Sequence, residues 1–375
     1  MNNSLRAVLD SIGPVDAALS TRAQAHLDDL TKPRGSLGLL ENAALRLFLM
    51  AGGHTPLCVD PAVIVVAAGD HGVTRQGVSP YPQEVTTQML ANILEGGAAI
   101  SVLSRLNGLT MTVVDAGCAD KALEHPRLIN LRLGPGTADL SEEAAMSVED
   151  CQRALLCGVD IARQAVDGGA RLLATGEMGI GNSTPAAALF CALLGLAPAE
   201  AVGPGAGLNP AGVRHKIGVV EKALRRHADV VGSWSASGGA SESALAVLAA
   251  LGGYEIAVLA GVVLGAASRR VPVLVDGFIS TAAYAAARAL SPAAADYAFL
   301  AHASAEPGYA RVVAALGQEP LLRLNMRLGE GTGCALALPL LRAAAAVFNE
   351  MASFSGAGVT GDMKQPVRES SEARH

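Results

Sequence analysis

Five short apolar runs without polar alternation punctuate the chain: Ala62–Ala68, Thr110–Asp115, Arg171–Thr175, Val271–Asp276 and Tyr297–Ala301. A strand with one wet face alternates, whereas a run apolar throughout fits a strand covered on both faces, as in a parallel sheet. Helical stretches separate most of these runs. The clearest starts at Ser147-Val148-Glu149-Asp150, a capping-box-like entry, and stops at Gly168-Gly169. Strand–helix alternation predicts an α/β fold with a doubly wound, mostly parallel, Rossmann-like sheet. Residues 3–52 read instead as short amphipathic helices, broken near Gly13-Pro14 and Lys32–Gly35. A last apolar helix, Cys334–Phe354, follows the sheet. The pattern therefore predicts a substrate-binding α/β domain over residues 59–330 and a smaller helical lobe from residues 1–58 and 331–354. Residues 355–375, rich in Gly, Ser and charge, read as a frayed tail.

Composition narrows the function classes. With 375 residues, 51% hydrophobic and 17% charged, the chain can bury a large core and lacks the polarity of a disordered one. Its formal charge of −6 offers no basic stripe for nucleic acid or an anionic membrane. Only 3% of residues are aromatic, too few for single-strand stacking platforms. The longest apolar runs, Ala186–Ala197 and Ile256–Ala267, fall short of the roughly 20 residues a membrane span needs. The first residues show no basic region ahead of an apolar block, so no secretory signal is expected. Six cysteines without a CxxC pair predict reduced thiols and a cytoplasmic location.

Polar punctuation sits where the predicted strands end, which is where open α/β sheets bind ligands. Asp70-His71 follows one run, Asp115 ends another, Gly176-Glu177 follows a third and Asp276 ends a fourth. The loop Gly176–Thr184 precedes Pro185-Ala186-Ala187-Ala188, a helix entry with Thr184 as N-cap and Pro185 at the first position. Backbone N–H groups there, with the hydroxyls of Ser183 and Thr184, suit a phosphate. The segment matches neither GxGxxG nor GxxxxGK[ST], which removes dinucleotide and Walker-type readings. Lys216 follows a second flexible loop, Val202–Leu208; on spacing alone it reads as a solvated helix lysine. Downstream, Leu328-Gly329-Glu330-Gly331-Thr332 holds one carboxylate between two glycines, ahead of an apolar helix. Either Glu330 is a proton acceptor in a cleft, or Thr332 caps a helix and Glu330 is solvated. Val275-Asp276-Gly277 resembles a type I phosphoribosyltransferase diphosphate signature, but Gly277 stands where the second acid belongs. No ligand set for a metal is legible, nor a GxSxG elbow.

Taken together these segments resemble the nicotinate-nucleotide–dimethylbenzimidazole phosphoribosyltransferase family. The resemblance rests on Lys32–Gly38, Ala68–Val73, Gly176–Thr184, Val275–Phe278, His302–Glu306 and Met326–Gly333, in family order. Ser183 departs from an expected threonine, and Cys334 from an expected alanine. The resemblance implies transfer of phosphoribose from nicotinate mononucleotide to 5,6-dimethylbenzimidazole, giving α-ribazole 5′-phosphate and nicotinate. It implies a homodimer and no cofactor. It makes Glu330 the general base and Glu177 a second carboxylate near the ribose. It assigns nucleotide and phosphate contacts to Gly176, Gly179, Gly181, Asn182, Ser183, Thr184, Gly205, Lys216, Asp276 and Ser304. The benzimidazole pocket falls to Ser79, Pro80, Tyr81, Gln88 and Leu328; two prolines stiffen that loop. The competing readings are a nucleoside phosphorylase-like ribosyl transfer and a non-catalytic nucleotide sensor.

Overall fold

A computed structural model describes residues 1–360. Six parallel strands form one sheet: β1 (Ala62–Gly69), β2 (Leu109–Gly117), β3 (Leu128–Asn130), β4 (Leu172–Met178), β5 (Val273–Val275) and β6 (Ala298–Leu300). Their spatial order is β3-β2-β1-β4-β5-β6, with every neighbouring pair parallel. The order reverses between β1 and β4, the switch point where such sheets open a ligand crevice. The pairing of Ala67 with Glu177 fixes the register there. All five predicted strands are present, although β5 and β6 shorten to three residues each.

The apolar run Ile256–Ala267 becomes the helix Tyr254–Ser268, buried on all sides, as a helix without a polar face must be. It packs on the helix Val148–Asp167, capped by Ser147 as its sequence predicts. Bare glycines allow that approach: a Cβ at Gly158 would collide with the carbonyl oxygen of Val258, and one at Gly261 with that of Leu155. Helices Ser20–Asp29 and Leu39–Met50 pack together, and the long helix Thr332–Glu350 lies against the latter and against β4 and β5. Asn3–Asp10 packs instead on Val148–Asp167 and Tyr254–Ser268. Leu27, Phe48 and Phe348 belong to the same continuous core as the strand residues.

The C-terminal helix differs from its predicted span. It begins at Thr332 and stops at Glu350, and a short separate helix, Phe354–Ala357, follows behind the Ser353 cap. The predicted tail from residue 361 onward lies outside the described residues. Two stretches, Glu84–Asn107 and Thr332–Glu350, are long and apolar enough by length to cross a bilayer. The first is two helices broken at Gly96-Gly97; the second is packed on the sheet.

Candidate active site

Beyond the carboxyl ends of β1, β4, β5 and β6 lies a cavity of about 420 Å³. Its walls come from the glycine-rich loop after β4, the turn at Gly329-Glu330, residues 277–279 after β5, and Ser304 and Glu306 after β6. Val78, Ser79, Tyr81, Val85 and Met89 close another side.

The turn that presents Glu330 is unusual in its backbone. Gly329, Glu330 and Gly331 take φ values of 88°, 63° and 91°, three left-handed residues in succession. A side chain in that region costs roughly 1–2 kcal/mol, so the two glycines confine the strain to the one residue whose carboxylate is displayed. Asp276 holds the turn: its carboxylate accepts from the backbone N–H of Gly331 at 2.9 Å and of Gly333 at 2.8 Å. The two acidic loops then touch. A Cβ at Gly329 would collide with Oε1 of Glu177, and one at Gly176 with the carbonyl of Glu330. Glu330 is 4% exposed and Glu177 6%. The reading of Glu330 as a solvated side chain beside a Thr332 cap is therefore corrected; Gly331 stands at the cap.

Electrostatics set the two acids apart. Burial, then repulsion from Asp276, Glu255 and Glu330, raises the Glu177 carboxyl to about 8, although Nδ2 of Asn182 donates to it. Burial also raises Glu330, opposed by the N–H of Ile100 at 3.5 Å and reinforced by Asp276. These surroundings keep Glu177 protonated at neutral pH. A cationic ring entering the cavity would favour both charged forms.

The end of the glycine-rich loop suits an anion. Lys216 is 1% exposed, so its reading as a solvated lysine is also corrected. Its Nζ donates to Oγ of Ser183 at 2.7 Å and to the carbonyl of Gly203 at 3.4 Å. Burial lowers its ammonium to about 8, with Glu306 pulling the other way. Gly205 packs over Ser183 and Lys216, where a Cβ would crowd both. Arg327 donates to the carbonyl of Gly205 from the rim.

Comparison with known proteins accords with this arrangement. The sequence model of a phosphoribosyltransferase family matches residues 12–359. A nicotinate-nucleotide–dimethylbenzimidazole phosphoribosyltransferase of Solidesulfovibrio magneticus is 57% identical over 96% of this chain and 99% of its own length. The Chloroflexus aurantiacus enzyme of that name is 48% identical over 95% and 98%. The crystal structure of the Thermus thermophilus enzyme of that name superposes with a TM-score of 0.85 at 43% identity, covering 92% of this chain and all of that one (100%). The chain belongs to the nicotinate-nucleotide–dimethylbenzimidazole phosphoribosyltransferase family.

In this phosphoribosyltransferase most of the predicted residues meet at the cavity. Glu177, Gly179, Gly181, Asn182, Ser183, Gly205, Ser304, Glu330, Ser79, Tyr81 and Leu328 line it. Gly176, Thr184, Lys216 and Asp276 lie one layer behind the wall; Pro80 and Gln88 are not in it. The helix after the glycine-rich loop starts at Ser183 rather than after Thr184, so the predicted cap is corrected to Asn182. Asn182 makes no capping bond: its backbone is already helical at φ −61° and ψ −20°, and its Nδ2 donates to Glu177.

His302, Glu306, Arg327 and Phe278, for which no role was expected, also line the cavity, as does Ile180 of the glycine-rich loop. Beneath the cavity lies a buried network that turns Asp70 and His71 inward. Oγ1 of Thr86 donates to Asp70 at 2.7 Å and accepts from the N–H of Ile180 at 3.0 Å, tying the helix Glu84–Glu95 to the glycine-rich loop. His71 pairs with Glu255 at 2.8 Å, both fully buried. Burial disfavours the charged imidazole, but Glu255 and Asp70 outweigh it and raise His71. Asp70 and His71 are thus committed to protein partners, and no metal-binding group of three His, Cys, Asp or Glu occurs among the described residues.

Proposed function

We propose that the cavity exchanges the base of nicotinate mononucleotide for 5,6-dimethylbenzimidazole, releasing nicotinate and α-ribazole 5′-phosphate. The lone pair of one benzimidazole nitrogen forms the new bond to C1′. The glycosidic bond on the opposite face breaks, and its electron pair returns to the pyridinium nitrogen, which leaves neutral. Glu330 takes the proton from the other benzimidazole nitrogen, a contribution of about 10²–10⁴-fold. The carboxylate raised by burial is a better base than an exposed one. Glu177 lies against the sugar, where the positive charge of the bound pyridinium and of C1′ favours its ionised form, the proton passing to solvent. Ser183, the backbone N–H groups near Asn182 and the Lys216 ammonium hold the 5′-phosphate. Tyr81, Leu328, Val85 and Met89 supply the apolar faces for the incoming ring. Holding both rings in line across one anchored ribose supplies much of the remaining acceleration.

The observation that carries this reading is the shared wall: Glu177 and Glu330, 153 positions apart in sequence (330 less 177), face one cavity, and the buried Lys216 ammonium backs Ser183 in its lining. A cytoplasmic homodimer completes the reading, and the six cysteines, none of them in a disulfide, fit that location. The test is turnover with nicotinate mononucleotide and dimethylbenzimidazole in excess chelator, with products identified by mass. Formation of α-ribazole 5′-phosphate and free nicotinate is expected. Product formed only with inorganic phosphate and no benzimidazole would favour the phosphorylase reading. Binding of the nucleotide without nicotinate release would favour the sensor.

A further inference from the structure

A second cavity, of about 520 Å³, shares no lining residue with the first. It lies between the helices Leu39–Met50 and Phe278–Leu290 and the start of β6. Residues beyond the carboxyl end of β6 reach the catalytic cavity, whereas Asp296 and Phe299 reach this one.

Two half-buried guanidinium groups enter it. Arg46 lies 4.2 Å from the ring centre of Phe299 and donates to the carbonyl of Ala298. Arg288 donates to the carbonyl of Leu316 at 2.7 Å. Each retains further N–H donors. Among the described residues neither has a carboxylate within 4.0 Å. Tyr284, fully buried in the same wall, has a hydroxyl with no hydrogen-bond partner, and Oε1 of Gln318 has none either. Unpaired cations and an orphaned hydroxyl inside a protein are costly, and an anion relieves both by accepting from the guanidinium groups and from Tyr284; the Gln318 oxygen, itself an acceptor, gains nothing from it.

Charge and shape narrow the anion. Among the described residues Asp296 is the only other half-buried acidic or basic side chain in the wall, and it accepts from the N–H of Val15 at 3.0 Å; Glu319 is exposed at the rim. The interior is left with a single excess positive charge, which suits a monoanion better than a phosphate dianion. Phe299, Leu49 and Leu321 give it an apolar side, and the volume falls within the range of small-molecule pockets.

We infer that this second cavity binds a small organic monocarboxylate, its carboxylate on Arg46 and Arg288 and its apolar body against Phe299. The Tyr284 hydroxyl donates a third hydrogen bond to the bound group. Calorimetric titration of the full chain with benzoate tests this. Saturable binding is expected, weakened at least about tenfold by Arg46→Met and about fivefold by Tyr284→Phe, the range for losing a charged and a neutral hydrogen bond. Tyr284→Phe removes one oxygen from a buried ring, so it reports even if Arg46→Met fails to fold. Leu328→Trp, in the other cavity, should leave benzoate affinity unchanged, and inorganic phosphate should not displace it. Absence of saturable binding, displacement by phosphate, unchanged affinity in Tyr284→Phe, or loss in Leu328→Trp would each overturn the assignment.

Discussion

Replacing Glu177 by glutamine tests the electrostatics of the catalytic cavity through stability rather than rate. The native carboxyl holds its proton up to about 8, whereas its ordinary value is 4.5. Between those limits the native chain binds a proton that the unfolded chain has released, so stability falls as pH rises. The slope is about 1.4 kcal/mol per pH unit, which sums to roughly 5 kcal/mol by the time pH passes the upper limit. A glutamine side chain has no proton to lose and keeps an oxygen to accept from Asn182. The variant and the parent should therefore unfold alike near pH 4, with both forms neutral. The variant's advantage should open through the window and level off near pH 9. Urea unfolding at fixed protein concentration, at about pH 4, 6, 7 and 9, reads the difference, in which titrating groups remote from Glu177 cancel. A difference that stays flat across those conditions would mean that Glu177 titrates as an exposed acid. A parent more stable than the variant at high pH would mean that its carboxylate is stabilised by the fold. Either result would refute the reasoning.

Thr86→Val should leave Asp70 without one donor and the Ile180 N–H without its acceptor, at a cost of roughly 1–3 kcal/mol. Steady-state kinetics should then give higher KM values for both substrates, because the base wall and the nucleotide loop lose their shared anchor; Thr86→Ser should restore them. Lys216→Met should raise the KM for nicotinate mononucleotide by about 10-fold or more, as expected for a lost charged hydrogen bond. The KM for dimethylbenzimidazole should stay unchanged, and an equal rise in both would indicate a structural role only.

The sheet was legible because buried parallel strands carry their signal locally, as runs with no polar alternation. β3 was not, since Leu128-Ile129-Asn130 is a half-buried edge segment of three residues, defined by pairing with β2 rather than by its own pattern. The Glu330 turn was legible from its flanking glycines, because a left-handed backbone demands them. Its companion Asp276 was read as a ligand to the nucleotide, whereas both carboxylate oxygens serve the turn. That partnership joins loops 55 residues apart or more and leaves no trace in local spacing. Thr86 and Glu255 were invisible for the same reason: each is one polar residue on an otherwise ordinary helix, given meaning by what folds against it. Lys216 shows the limit most plainly. Its helix reads as amphipathic and wet, and only the fold buries its ammonium beside Ser183.

The sharpest single test is the rate of base exchange by Glu330→Ala, measured in one turnover with saturating nicotinate mononucleotide and dimethylbenzimidazole. A drop of about 10²–10⁴-fold, with native unfolding behaviour and unaltered nucleotide affinity, is the outcome expected of a lost proton acceptor. Transfer at close to the parental rate would contradict the role given to that carboxylate, and with it the account of how the two acids share one sugar.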